Sequence, residues 1–239
     1  MNATPSAPKI STGGKLLLFL DSAVTEAWEK MLPLGFFHGV TTNPLLLERA
    51  GQACTLDNLH DLARTAERLG AREIQLQTWG DSPALMAETG IHLAAAEGSG
   101  LAVVIKVPAT TEGFMAAREL KAAGHRVTMT AVYTTGQVLC AAGLGADYAA
   151  PYVGRLEDAG QDGPATVVAM QETLKSTASG TRLLTASLRS AARVTELAAA
   201  GLDTFTFGPA VAEELITSEL TTRAAADFRR AALTMGETR

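Results

Sequence analysis

The sequence has little to staple or to chelate with. Its 239 residues contain two cysteines, Cys54 and Cys140, and these form no CxxC pair and no metal-type cluster. Two such cysteines make no disulfide framework, and this usage fits a reducing, cytoplasmic compartment. The four histidines, His38, His60, His92 and His125, show no ligand spacing such as HExxH, so no metal site is expected. Aromatics are only 5% of the chain, which suits tight helix-on-strand packing better than an all-β sandwich. A basic excess is also missing. The formal net charge of −5 argues against a nucleic-acid-binding surface. An anionic substrate remains compatible, because a few local arginines hold a phosphate within an acidic protein. No run approaches the roughly 18 apolar residues of a membrane span. The run at 16–20 is short and ends at Asp21, so it reads as a buried strand and not as a signal-peptide core.

What the chain does have is apolar bulk. At 47% hydrophobic it can bury a substantial core, and its length suits one large domain. Residues 1–14 are rich in Ser, Thr, Pro, Ala and Gly and read as a mobile tail. Short apolar runs follow at 16–20, 39–42, 73–77, 102–107, 127–132, 148–153, 183–186 and 204–208. Between them lie helix-period segments at 24–31, 56–69, 82–90, 113–123, 135–142, 165–175, 192–199 and 210–216. In the segment 56–69, Leu59, Leu62, Ala63, Ala66 and Leu69 fall on one face, with Thr55 as a cap and Gly70 as a stop. Strand–helix alternation implies a parallel sheet, and eight alternations imply a closed (β/α)₈ TIM barrel, with an open doubly wound sheet as the other pattern. The barrel domain is expected over 15–220. A C-terminal helix and tail, 221–239, would pack on a neighbouring subunit or cover the barrel mouth.

The polar residues gather where the apolar runs end. Asp21 follows the first run; Thr41, Thr42 and Asn43 follow the second; Gln77 ends the third, Lys106 the fourth and Thr130 the fifth. Tyr152 and Arg155 follow the sixth, and Ser187 and Arg189 the seventh. In a parallel barrel these ends share one face, where such folds carry active sites. Lys106, in AVVIKVP, is the most informative. Apolar surroundings disfavour a charged lysine, and a neutral amine attacks a carbonyl to form an iminium. Taken singly, each has an ordinary reading too. Lys106 could bury its stem and keep its head in water. Asp21 could cap the helix that starts near Ala23. GVTTNP could be a strand and a turn. Gln77 and Thr130 could fill the barrel, Tyr152 could be a packing aromatic, and Arg155 could pair with Glu157 or Asp158.

LFLDSA, GVTTNP, VVIKVPATTEG, TAVYTTGQ, APYVGRLED and TASLRS, in this order, resemble the small transaldolase and fructose-6-phosphate aldolase family over about residues 16–230. The resemblance implies a class I mechanism on an (α/β)₈ barrel, without metal or organic cofactor. It assigns the Schiff-base lysine to Lys106 and the acid/base aspartate to Asp21. Asn43, with Thr42 beside it, would bind the donor hydroxyls, and Thr130 would help hold a catalytic water. Arg155, Ser187 and Arg189 would bind the substrate phosphate. Gln77, Tyr152 and Ala150 are similar to the aldolase branch, whereas Gly154, Arg155 and Arg189 look like transaldolase. The expected activity is formation and cleavage of fructose 6-phosphate from dihydroxyacetone and glyceraldehyde 3-phosphate. The alternatives are transaldolase, a sulfonated sugar analogue as substrate, and a non-catalytic sugar-phosphate-binding barrel. The family also implies a homo-oligomer, a ring of five or two rings paired into ten.

Overall fold

The computed structural model describes residues 16–236, so the tail expected over 1–14 lies outside the described residues. Strands β1 (Leu17–Asp21), β2 (Gly39–Thr41), β3 (Glu73–Gln77), β4 (Ala102–Pro108), β5 (Arg126–Val132), β6 (Tyr148–Pro151), β7 (Arg182–Leu183), β8 (Thr185–Leu188) and β9 (Thr204–Phe207) form one parallel sheet. Its order is β7-β6-β5-β4-β3-β2-β1-β9-β8. β7 and β8 are halves of a single barrel strand, separated by Leu184. β7 pairs with β6 and β8 with β9. The Leu184 N–H still donates to the Ala149 carbonyl at 2.8 Å, and Tyr152 bridges to Ala186, so the two edges meet. The result is an eight-position barrel whose seventh strand is interrupted.

Helices α1 (Thr25–Met31), α2 (Pro44–Arg49), α3 (Leu56–Arg68), α4 (Pro83–Ala94), α5 (Thr111–Ala122), α6 (Thr135–Leu144), α7 (Val153–Asp158), α8 (Gly163–Ser176), α9 (Ala191–Ala199) and α10 (Pro209–Ile216) accompany the strands. α3 shows why they form. Leu59, Leu62, Ala63 and Ala66 are buried on its inner face, the Thr55 hydroxyl accepts from the Asn58 N–H, and Gly70 ends the segment at φ 88°. α2 and α7 are short and leave no periodic stripe in the sequence.

Strand pleat separates two cores. On β4, Val103, Ile105 and Val107 face the helices and join the main core, while Val104 faces inward with Leu17, Phe19, Tyr148, Ala150 and Leu184. Below this inner cluster, at the strand starts, the barrel is closed by a polar plug. The fully buried Glu73 takes an ion pair from Arg126 at 2.7 Å and a hydrogen bond from the Tyr148 hydroxyl at 3.2 Å. Gln75 donates to Glu73, and Thr128 donates to Gln75, both at 2.8 Å. Burial pushes the Glu73 carboxyl up, but the His38 ring, whose Nε2 lies 3.8 Å away, the Arg126 charge and the Gln75 amide outweigh it and hold the group below its usual range. The burial of Tyr148 beside Glu73 raises its phenol.

The C-terminal helix α11 (Glu219–Gly236) has no buried residue. Leu220, Phe228, Leu233 and Met235 are exposed along it. Among the described residues no helix is long and apolar enough to cross a membrane.

Candidate active site

A cavity of ≈ 440 Å³ opens at the C-terminal ends of the strands. Its lining includes Asp21, Asn43, Gln77, Lys106, Thr130, Tyr152, Arg155 and Ser187, which are all the expected site residues except Thr42 and Arg189. A larger hollow of ≈ 540 Å³ lies away from the strand ends, on the outer surface beside α8 and α9.

Lys106 sits two residues before the end of β4 and faces the barrel interior, only 4% exposed. Its Nζ donates to the Thr42 carbonyl at 2.9 Å, and it forms no ion pair among the described residues. Thr42 therefore meets the lysine through its main chain. Its side chain is buried and does not line the cavity. Pro108, which ends β4, is followed by ATTEG, a short turn that runs into the first residues of α5. There a Cβ on Gly113 would overlap the Pro108 carbonyl oxygen, so only glycine lets α5 start this close to the lysine strand.

Asp21 is not a helix cap. α1 starts at Thr25 behind Val24, and no side chain caps it. The turn is held instead by the Ser22 hydroxyl, which accepts from the Val24 N–H at 3.0 Å, and by the Trp28 indole, which donates to the Ser22 carbonyl. One oxygen of Asp21, Oδ1, accepts from the Thr41 hydroxyl at 2.7 Å, and Thr41 is 2.6 Å from the Thr206 hydroxyl. This fixes the carboxylate and leaves Oδ2 for the cavity.

Asn43 turns out to cap α2. Its Oδ1 accepts from the N–H groups of Leu45 and Leu46 at 3.0 and 3.1 Å, and Pro44 takes the first helical position. With the oxygen committed, Nδ2 remains as a donor suited to a hydroxyl oxygen. Across the cavity the Tyr152 and Thr130 hydroxyls are 2.8 Å apart. Tyr133 packs edge-on to Tyr152 with ring centroids 6.0 Å apart, and burial pushes the Tyr133 phenol up. Two cavity residues hold the left-handed backbone that favours glycine: Ala131 at φ 55° and Ser187 at φ 60°. Each lies at a register shift, one between β5 and β6 and one between β8 and β9. Bulges of this kind re-aim side chains beside active sites.

The surface pairings expected for Arg155 are taken by other residues. Glu157 pairs with Arg193 at 2.7 Å. Asp158 receives a two-pronged contact from Arg189, at 2.8 and 2.5 Å. That contact holds the Asp158 carboxyl below its usual range. Arg155 lines the cavity with no ion pair among the described residues, whereas Arg189 is forked onto Asp158 and is absent from the lining. Sequence reading missed Tyr133, Thr206 and Arg49, which also line the cavity. Arg49 carries no signal in the sequence, because its six-residue helix is too short to show a period. Among the described residues no cluster of three or more His, Cys, Asp or Glu side chains is placed to share a metal ion.

The family model described as "Transaldolase/Fructose-6-phosphate aldolase" matches residues 18–238. A probable transaldolase of Phenylobacterium zucineum is 34% identical over 216 residues, covering 88% of this chain and 94% of the relative. A probable transaldolase of Thermus thermophilus is also 34% identical, over 85% of this chain and 92% of its own. The crystal structure of 2,3-dimethylmalate lyase, a PEP mutase/isocitrate lyase superfamily member, superposes with a TM-score of 0.57 at 15% identity. It covers 93% of this chain and 83% of that one, a likeness of fold alone.

Proposed function

The chain belongs to the transaldolase/fructose-6-phosphate aldolase family, and from that premise we propose that it is a class I aldolase that forms and cleaves fructose 6-phosphate. The Lys106 amine, held by the Thr42 carbonyl, attacks the ketose carbonyl, and water leaves to give an iminium. The iminium draws in the electron pair of the bond between the third and fourth carbons as that bond breaks. Asp21 Oδ2, or Tyr152 through a water, takes the proton of the fourth-carbon hydroxyl. Glyceraldehyde 3-phosphate leaves, and an enamine of dihydroxyacetone stays on Lys106. Asn43 Nδ2 donates to the donor hydroxyls. Arg155 and Ser187 take the phosphate, and a sulfonate, also a tetrahedral oxyanion, would suit the same pair. Thr42 acts on the lysine instead of on substrate.

The observation that carries the aldolase reading is the Tyr152–Thr130 hydroxyl pair in the cavity that holds Lys106 and Gln77. A phenol there can protonate the enamine through a water that Gln77 and Thr130 hold, so that hydrolysis frees dihydroxyacetone. Transaldolase, in which the enamine waits for an aldose phosphate, is the second reading, favoured by the names of the relatives. A coupled assay for glyceraldehyde 3-phosphate, run with and without erythrose 4-phosphate, separates the two. Product is expected without the acceptor. The double change Gln77→Glu with Tyr152→Phe is expected to lower that release by about 10²-fold or more and to raise transfer. Product that appears only with the acceptor present makes the protein a transaldolase.

The exposed apolar residues of α11 support a homo-oligomer in which this helix seats on a neighbouring copy. Light scattering on the purified chain is expected to give a mass several times 24.9 kDa. Removal of residues 219–239 is expected to bring it down to that of one chain. An unchanged mass after truncation rules out α11 as the contact.

A further inference from the structure

We propose that the cavity takes a sugar with an anionic group at each end, a ketose bisphosphate in the simplest case, and that Arg49 binds the second anion. The inference deepens the reading above and rests on it for Lys106 as the carbonyl anchor. Topology sets the two candidate anion positions apart. Arg155 belongs to α7, which follows β6, and Arg49 to α2, which follows β2. In a closed ring of eight positions β2 and β6 are four apart, on opposite sides, and β4 with Lys106 lies midway between them along one arc. Both arginines line the one cavity, and neither forms an ion pair among the described residues. On α2, Leu45 and Arg49 are one helical turn apart, and both belong to the lining, so this face of the helix is turned to the cavity.

The balance of charge points the same way. The chain as a whole is acidic, with a formal net charge of −5. Yet the described cavity lining holds one carboxylate, Asp21, against Lys106, Arg49 and Arg155. Fructose 6-phosphate places its single anion at Arg155 and leaves Arg49 with only hydroxyls to face. A second phosphate, on the first carbon, gives that guanidinium a bidentate partner. A sugar chain anchored at Lys106 by its second carbon then extends to both rims.

The test uses polyols without a carbonyl, so that binding is read apart from Schiff-base chemistry. Glucitol 6-phosphate and glucitol 1,6-bisphosphate are titrated calorimetrically into the full chain at fixed salt. The bisphosphate is expected to bind at least about tenfold more tightly, as one added charge-assisted contact predicts. Arg49→Gln is expected to collapse that ratio to near one, and Arg155→Gln to weaken both ligands. Equal affinity of the two ligands in the wild type, or an Arg49→Gln loss that is the same for both, overturns the proposal. Failure to trap any ketose on Lys106 would instead overturn the aldolase reading and leave the ratio of affinities standing.

Discussion

Lys106→Met is expected to lower turnover by a factor on the order of 10⁴–10⁶, the scale on which enzymes lose activity when a covalent nucleophile is removed. The reason is local. The amine is buried, its Nζ is held by one main-chain carbonyl, and it lies in the same cavity as Asp21 and Tyr152. Among the described residues no other lysine lines that cavity. Methionine approximates the length of the side chain without an amine, so the fold should survive and urea unfolding should stay close to wild type. Borohydride reduction in the presence of fructose 6-phosphate or dihydroxyacetone, followed by mass spectrometry, is expected to find the adduct on Lys106 and to lose it in the variant. An adduct on another lysine, or none with any ketose donor, would sink the mechanism.

Arg126→Met acts at the other end of the barrel and should be costly to stability, by about 3–5 kcal/mol, as expected when one partner of a buried ion pair is removed. Glu73 would keep its position with only His38, Gln75 and Tyr148 around it. The effect should depend on pH. The Glu73 carboxyl titrates below its usual range in the fold. Its contribution is therefore fully present above the unfolded glutamate value of about 4.3 and is lost as pH falls through the lower, folded value. Without Arg126 the folded value rises toward the unfolded one, so the contribution is smaller at neutral pH and the variant should lose less stability than the wild type as the pH falls. Urea midpoints measured from about pH 7 down to about pH 3, across and below the unfolded glutamate value, would show it. A variant within about 1 kcal/mol of wild type at neutral pH would mean that water or rearrangement already satisfies Glu73.

The sequence makes the barrel legible because its strands are short apolar runs and its long helices have one buried face. Pattern fails where an element has no period of its own. α2 and α7 have six residues each, too few for a periodic stripe, and α2 exists because Asn43 and Pro44 start it. The single run at 183–186 is two strand pieces, because the chain turns from β6 to β9 there around Leu184. The site is legible at the strand ends, where a polar residue after an apolar run has few uses. Arg189, in the loop between β8 and α9, keeps the right neighbourhood, but Asp158 at the end of α7 draws it to the surface. The plug of Glu73, Gln75, Arg126 and Thr128 is opaque for a related reason. Polar residues inside β-runs look like breaks in a pattern until the barrel closes and puts them face to face.

The alternation that divides β4 between the two cores has a genetic consequence. Lys106 faces inward because it is two residues from Val104 and next to Ile105 and Val107, which face the helices. The deletion or insertion of a single codon between 102 and 105 shifts that parity by one. The lysine would then be carried into the helix-packed layer, and an aliphatic side chain would take its place inside the barrel. The same change in the loop at 95–101, before β4 begins, leaves the parity alone. Mutational scans that include one-codon indels should therefore show strand β4 as intolerant from its start up to Lys106, with the N-terminal boundary falling at the strand start and not at the edge of the cavity.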